Sequence, residues 1–258
     1  MATNPNPRGA LEFSNKVERL YAALACAALP NSGMEQEPSL GGKLLYAGSL
    51  DGEACALLVA ANIAGAASLA VSADAEASKQ AIRDGVVDFL VTSLDEALRI
   101  LKNEIRKRTT VAACVAAAPH ATEGDFAREM FERGVRPDLT WPIEAAPLCA
   151  SQVLMAWSVA KEAAQWQPLL DALALRCLDS DLGLDAATAR RWLRLAPRYL
   201  GRRSQGVRVL RCDEQTAVRL QQEILEQVES GKIGVTVDLW QSRNGQTEWS
   251  SLAPLTGL

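Results

Sequence analysis

The 258-residue sequence predicts an α/β protein: a doubly wound, mainly parallel sheet with helical and small α/β additions toward the C-terminus. Three observations predict it. Between residues 40 and 145, short apolar runs alternate with helix patterns at the spacing of βα units. Alanine is abundant while aromatic residues make up only 5% of the chain, a composition that suits helices lying close on a sheet. After residue 145 that alternation stops and longer helix patterns take over. The expected organisation is a tail, helix and loop over residues 1–39, the α/β domain over 40–145, and an extension over 146–258 packed on it.

The elements follow in order. Leu11, Val17, Leu20, Leu24 and Leu29 recur at helical spacing, so residues 10–29 form a helix, and residues 29–42 read as a surface loop. "KLLYAG" is a short strand, followed by a glycine-bearing turn and a small-residue helix over 53–64. A strand over 67–73, a helix over 74–85 and a third strand over 86–92 come next. Residues 93–108 are strongly amphipathic, with Ser93 at the cap and Glu96 at the box position. Residues 109–118 read as a buried strand, 123–134 as a helix stopping at Gly134, and 135–140 as a short extended segment. Beyond residue 145, 147–166 and 168–178 read as two helices, and 179–195 as a turn and a helix. A strand over 207–212 and a helix over 213–231 capped by Asp213 follow. Residues 232–252 read as two strands joined at Asn244-Gly245, a hairpin signal.

Composition excludes several function classes. A net charge of −4 argues against general nucleic-acid or membrane affinity, and no apolar run is long enough to cross a bilayer. The six cysteines are scattered without a C-x-x-C pair and the N-terminus lacks a signal pattern, so free thiols and a cytoplasmic location are expected. One histidine, His120, excludes a multi-histidine metal site, and no metal is expected.

"GGKLLYAG", "AANIAGAASLAV", "VTSLDEAL" and "RGVRPDL" occur in this order between about residues 40 and 140. Together they resemble the central Rossmann-like domain of urocanase (urocanate hydratase). The resemblance implies a Rossmann-like fold. In the family it also implies hydration of urocanate with tightly bound NAD as the electrophile, so NAD is the cofactor to test. It points to Gly48, Ser49 and Gly52 as the phosphate turn, and to Ser72 or Asp74 at the ribose position. The family's turn reads close to "GGMGGAQP"; the matching residues are Asp51 to Leu58, and only Gly52 and Ala56 persist. Glycines at such a turn let the backbone approach a pyrophosphate on a helix N-terminus. Asp51 and Glu53 place negative charge there instead. After "RGVRPDL" the family's polar cofactor loop is replaced by Thr140 to Pro147.

Three further features carry candidate chemistry. His120 lies past the end of a buried strand, with Glu123 and Asp125 nearby, and is a candidate general base, as is Asp51. The alternative reading makes His120 a loop residue and Asp51 a helix cap. Arg190, Arg191, Arg194, Arg198, Arg202, Arg203, Arg208 and Arg211 crowd a stretch without Asp or Glu from residue 186 to 212. The first six read as an anion patch, or as a solvated face paired with Asp179, Asp181 and Asp213. All six tryptophans fall after residue 140, and Trp240 and Trp249 flank the hairpin, where they can face a partner chain. The leading expectation is a urocanase-like Rossmann-fold protein without the enzyme's catalytic equipment, binding an anionic small molecule or a protein partner and self-associating. The alternative is an active NAD-dependent hydratase with diverged cofactor contacts; nucleic-acid binding through the arginines ranks below both.

Overall fold

The computed structural model describes residues 7–28, 37–118, 122–179, 183–243 and 246–254, with Pro7 and Arg202 described by their backbone alone. The chain forms two compact units, Arg19–Ala145, and Met1–Glu18 with Ala146–Leu258. The first helix, α1 (Pro7–Ala28), contributes residues to both.

The unit Arg19–Ala145 is built on β1 (Leu44–Ser49), β2 (Ala67–Ser72), β3 (Phe89–Val91), β4 (Val111–Ala116) and β5 (Leu139–Thr140). Interleaved with them are α2 (Gly52–Ala64), α3 (Ala75–Arg83), α4 (Leu94–Lys107) and α5 (Glu123–Glu132). The strands form one parallel sheet in the order β3-β4-β2-β1-β5. Right-handed crossovers put α2 and α3 on one face, and α4 and α5 on the other, because the chain reverses direction across the sheet after β3. Leu44, Tyr46, Leu69, Val71, Ala113 and Val115 meet α4 and α5 in one apolar cluster with Leu101, Phe126 and Met130. The alternate residues Leu45, Ala47, Ala70 and Cys114 are buried on the opposite face. There α2 is buried almost throughout, and its alanines permit close approach to β1 and β2. The sequence-predicted Rossmann-like, doubly wound sheet is therefore present, Asp51 caps α2 and Ser93 caps α4 as the sequence suggests, and Asp74 caps α3.

The other unit contains β6 (Gln152–Val159), α6 (Ala163–Leu178), α7 (Leu184–Leu200), a 3-10 turn over Gly201–Ser204, β7 (Val207–Asp213), α8 (Glu214–Glu229), β8 (Val237–Arg243) and β9 (Gln246–Leu252). Its four strands are antiparallel in the order β7-β6-β8-β9. Asp213 caps α8 by accepting from Thr216 N at 2.9 Å. β8 and β9 pair through Arg243 and Gln246, as a hairpin does; the Asn244-Gly245 turn itself lies outside the described residues.

Two expectations are corrected here. Residues 147–166 do not form a helix: they contain β6, the strand between β7 and β8. Val153, Met155, Ala156, Trp157 and Val159 are buried on both faces of the sheet, so no polar alternation marks the run. Its Leu, Met and Ala also favour helix in isolation. Nor does Pro168 start a new helix, since α6 runs through it. Proline removes one hydrogen bond, to the Ala164 carbonyl, and both residues are exposed, so water can serve that oxygen.

Candidate functional site

The place to look in this sheet is the carboxyl edge of the strands, where the turns after β1, β2 and β4 converge. β1 ends in an irregularity: its register against β2 shifts between Tyr46 and Ser49. Gly48 sits in that bulge at φ +72°, a conformation that glycine adopts without a Cβ penalty.

Glu123, the first residue of α5, reaches this turn. Its carboxylate lies where a side chain on Gly48 would be, with Cδ 2.6 Å and Oε2 2.9 Å from an ideal Cβ position. Oε2 accepts hydrogen bonds from Ser49 N and Ser49 Oγ, each at 3.3 Å. The residue is held from behind. Tyr46 Oη donates to the Glu123 carbonyl at 3.2 Å, and Thr122 and Asp125 form a reciprocal capping box at the start of α5. Burial, reinforced by the Glu123 carboxylate, pushes the Tyr46 phenol well above its ordinary range, so it remains a donor.

A second carboxylate closes the same turn. Asp51 Oδ1 accepts from Ala54 N at 2.8 Å, satisfying an N–H at the start of α2, and Glu53 follows in the first turn. An ideal Cβ on Gly52 meets nothing within 4 Å, so that glycine is not required by a close contact. Ser72 Oγ and Asp74 bond each other locally, and Asp74 Oδ1 accepts from Glu76 N and Ala77 N as the cap of α3. Ala117 N donates to the Ser72 carbonyl at the ends of β2 and β4.

These residues do not fit a dinucleotide. The amides of Ser49 and Ala54 serve carboxylates of the protein itself. A diphosphate brought to the turn would meet the charges of Asp51, Glu53 and Glu123. Each unit charge at 4 Å opposes it by about 1–4 kcal/mol between bulk water and a protein surface. The carboxyl that the family pattern would put on a ribose is spent on a helix cap.

The remaining candidates separate. His120 lies outside the described residues. The arginines have separate local partners: Arg190 donates to the Leu178 carbonyl at 2.8 Å, Arg203 lies 4.0 Å over the Phe13 ring, and Arg198 lies over Tyr199. Arg191 and Arg194 have interactions of their own, and the Arg202 side chain is not described. Arg208 is buried in an ion pair with Asp171, and Arg211, mostly buried, pairs with Glu18. Trp157 and Trp192 are core residues, while Trp249 stands 62% exposed opposite Trp240.

All six cysteines are free thiols; burial pushes Cys114 up to about 11 and Cys212 up to about 12, which makes both poor nucleophiles. Among the described residues, no group of His, Cys, Asp and Glu is arranged to hold a metal, and no helix is long and apolar enough to cross a membrane.

Sequence reasoning missed Glu123 as a residue of the turn, 74 positions away from Ser49. The strand order brings it there: the connection from β4 to β5 passes β2 and β1, which carries the start of α5 over the end of β1. A family model, described as the urocanase Rossmann-like domain, matches residues 24–141.

Proposed function

We propose that the region matching the urocanase Rossmann-like domain, residues 24–141, is a non-enzymatic module that docks a protein partner and holds no NAD. The observation that carries the reading is the turn after β1, where Glu123 and Asp51 take two backbone donors, Ser49 N and Ala54 N, beside the N-terminus of α2. A protein partner is favoured over an anionic small molecule for two reasons. Of the six arginines expected to form an anion patch, Arg190 donates to the Leu178 carbonyl, and Arg198 and Arg203 lie over aromatic rings. On the edge strand β3, Phe89 and Leu90 are 46% and 39% exposed, and Ile82 of α3 is 37% exposed. Apolar residues on a sheet edge suit a protein surface better than water.

The experiment is direct. Purified protein is examined for co-purified NAD, titrated with NAD by calorimetry, and mixed with urocanate while its ultraviolet absorbance is followed. No NAD, no heat of binding and unchanged absorbance are expected. Stoichiometric NAD, or decay of the urocanate band, would replace this reading with that of an active hydratase using different contacts.

A further inference from the structure

The geometry points to a strand-to-strand dimer, in which β9 pairs antiparallel with β9 of a second copy of this chain about a twofold axis at Trp249. This goes beyond the reading above: it concerns the other unit and does not depend on what the turn after β1 holds.

β9 is an edge strand, hydrogen-bonded to β8 alone. The two-residue connection between Arg243 and Gln246 fixes which way its backbone groups point. Arg243 and Gln246 must form a hydrogen-bonded pair, because the alternative pattern would need a bond between the two turn residues themselves. Alternation along the ladder then turns the N–H and C=O of Gln246, Glu248, Ser250 and Leu252 toward β8, and those of Thr247, Trp249 and Ser251 outward. Among the described residues, no other element offers a backbone partner to these outward groups.

The opposite edge of the same sheet is covered. There the Val209 carbonyl of β7 accepts from Trp192 Nε1 of α7 at 2.5 Å, and Val207 and Val209 are buried. β9 lacks the devices that keep an edge apart from other chains: it holds no proline, no lysine and no bulge, and its seven residues run in unbroken register with β8. Thr247, Trp249 and Ser251 share one face of the sheet. Thr247 Oγ1 donates to Ser242 Oγ at 3.5 Å, Ser251 Oγ donates to Asp238 Oδ1 at 2.7 Å, and Trp249 lies opposite Trp240. Even beside Trp240, Trp249 is 62% exposed.

A second copy fits this edge in one register. With the twofold axis at Trp249, the outward groups of Trp249 meet those of the partner's Trp249, and those of Thr247 meet the partner's Ser251, so each outward donor finds an acceptor. The two Trp249 side chains become neighbours and extend the Trp240–Trp249 pair across the interface. Glu248, the one charged residue of β9, then lies opposite the partner's Ser250. Centring the pair on Glu248 instead would set like charges against each other. An unrelated strand would gain the backbone bonds without the indole pair. One strand and one indole per copy fall short of the about 1,200 Å² of a stable interface, so the dimer is a weak one.

Sedimentation of the full chain between about 1 µM and about 1 mM should show a reversible monomer–dimer equilibrium. Amide hydrogen exchange should be fast at Thr247, Trp249 and Ser251 in the dilute protein and slowed in the concentrated protein, while Glu248 and Ser250 are protected in both. Thr247→Pro deletes an outward N–H and leaves the bonds to β8, so it should weaken dimerisation by about tenfold or more. A monomer at every concentration, a dimer that leaves the three outward amides unprotected, or a Thr247→Pro variant that dimerises like the wild type would each overturn the proposal. The two wild-type measurements decide it even if the variant does not fold. A protein docked on β3, or NAD at the turn after β1, would leave these amides unchanged.

Discussion

Gly48→Ala perturbs the turn after β1 in two separable ways. A Cβ on a residue at φ +72° costs about 1–2 kcal/mol of backbone strain. The same Cβ would lie 2.6 Å from Glu123 Cδ, so the carboxylate must swing away and release Ser49 N and Ser49 Oγ. Two hydrogen bonds of 3.3 Å at an exposed site contribute about 0.5–1 kcal/mol each, which brings the expected loss to about 2–4 kcal/mol. Glu123→Ala loses the same two bonds and an acidic residue from the first turn of α5, about 1–3 kcal/mol in all. With Glu123 already removed, Gly48→Ala should cost the backbone strain alone. The double-mutant cycle should therefore show a coupling of about 1–2 kcal/mol. The assay is urea unfolding followed by far-ultraviolet circular dichroism, because tryptophan fluorescence would report mainly on the other unit, where Trp157, Trp166, Trp192, Trp240 and Trp249 lie. Additivity to within about 0.5 kcal/mol would mean that the Glu123 carboxylate does not occupy the space beside Gly48, and the argument against a diphosphate there would lose its main support.

Two further outcomes are expected. Arg208→Met leaves Asp171 buried without its partner and should destabilise by about 3–5 kcal/mol in chemical denaturation, whereas Arg198→Ala, at an exposed position, should stay near about 0.5 kcal/mol; similar losses would contradict the separation of these arginines into buried and surface roles. Asp213→Ala should cost about 1–2 kcal/mol at neutral pH through loss of the α8 cap. Partial burial pushes the Asp213 carboxyl up, but the Thr216 hydroxyl and amide pull it further down, so its native value lies below its unfolded one. Its contribution is then complete above the unfolded carboxylate range near about pH 4 and is lost as pH falls through the native value. The deficit of the variant should shrink as pH is lowered from about 5 to about 2, and a deficit constant across that window would refute the linkage.

What the sequence determined by itself is local. The caps Asp51, Ser93 and Asp213 were legible because an N-cap needs only its own side chain and an amide two or three residues on. The alternation of strands and helices between residues 40 and 145 was legible because one apolar stripe or run per element suffices to show it. β6 was not, because a strand buried on both faces carries no periodicity, and its identity as a strand comes from the partners β7 and β8 on either side.

The chemistry of the turn after β1 divides in the same way. Gly48, Ser49 and Asp51 stand together in the sequence, and their unsuitability for phosphate was half visible in the acidic residues. The other half, Glu123 on Ser49, exists only because the sheet order carries α5 across the end of β1. The arginine run shows the limit most plainly: the sequence marks a cationic block, but that Arg208 pairs with Asp171 and Arg211 with Glu18, 37 and 193 positions away in the chain, is decided by the fold. Where a charge ends up depends on which buried carboxylate the fold brings to it, because burying it alone costs more free energy than local structure supplies.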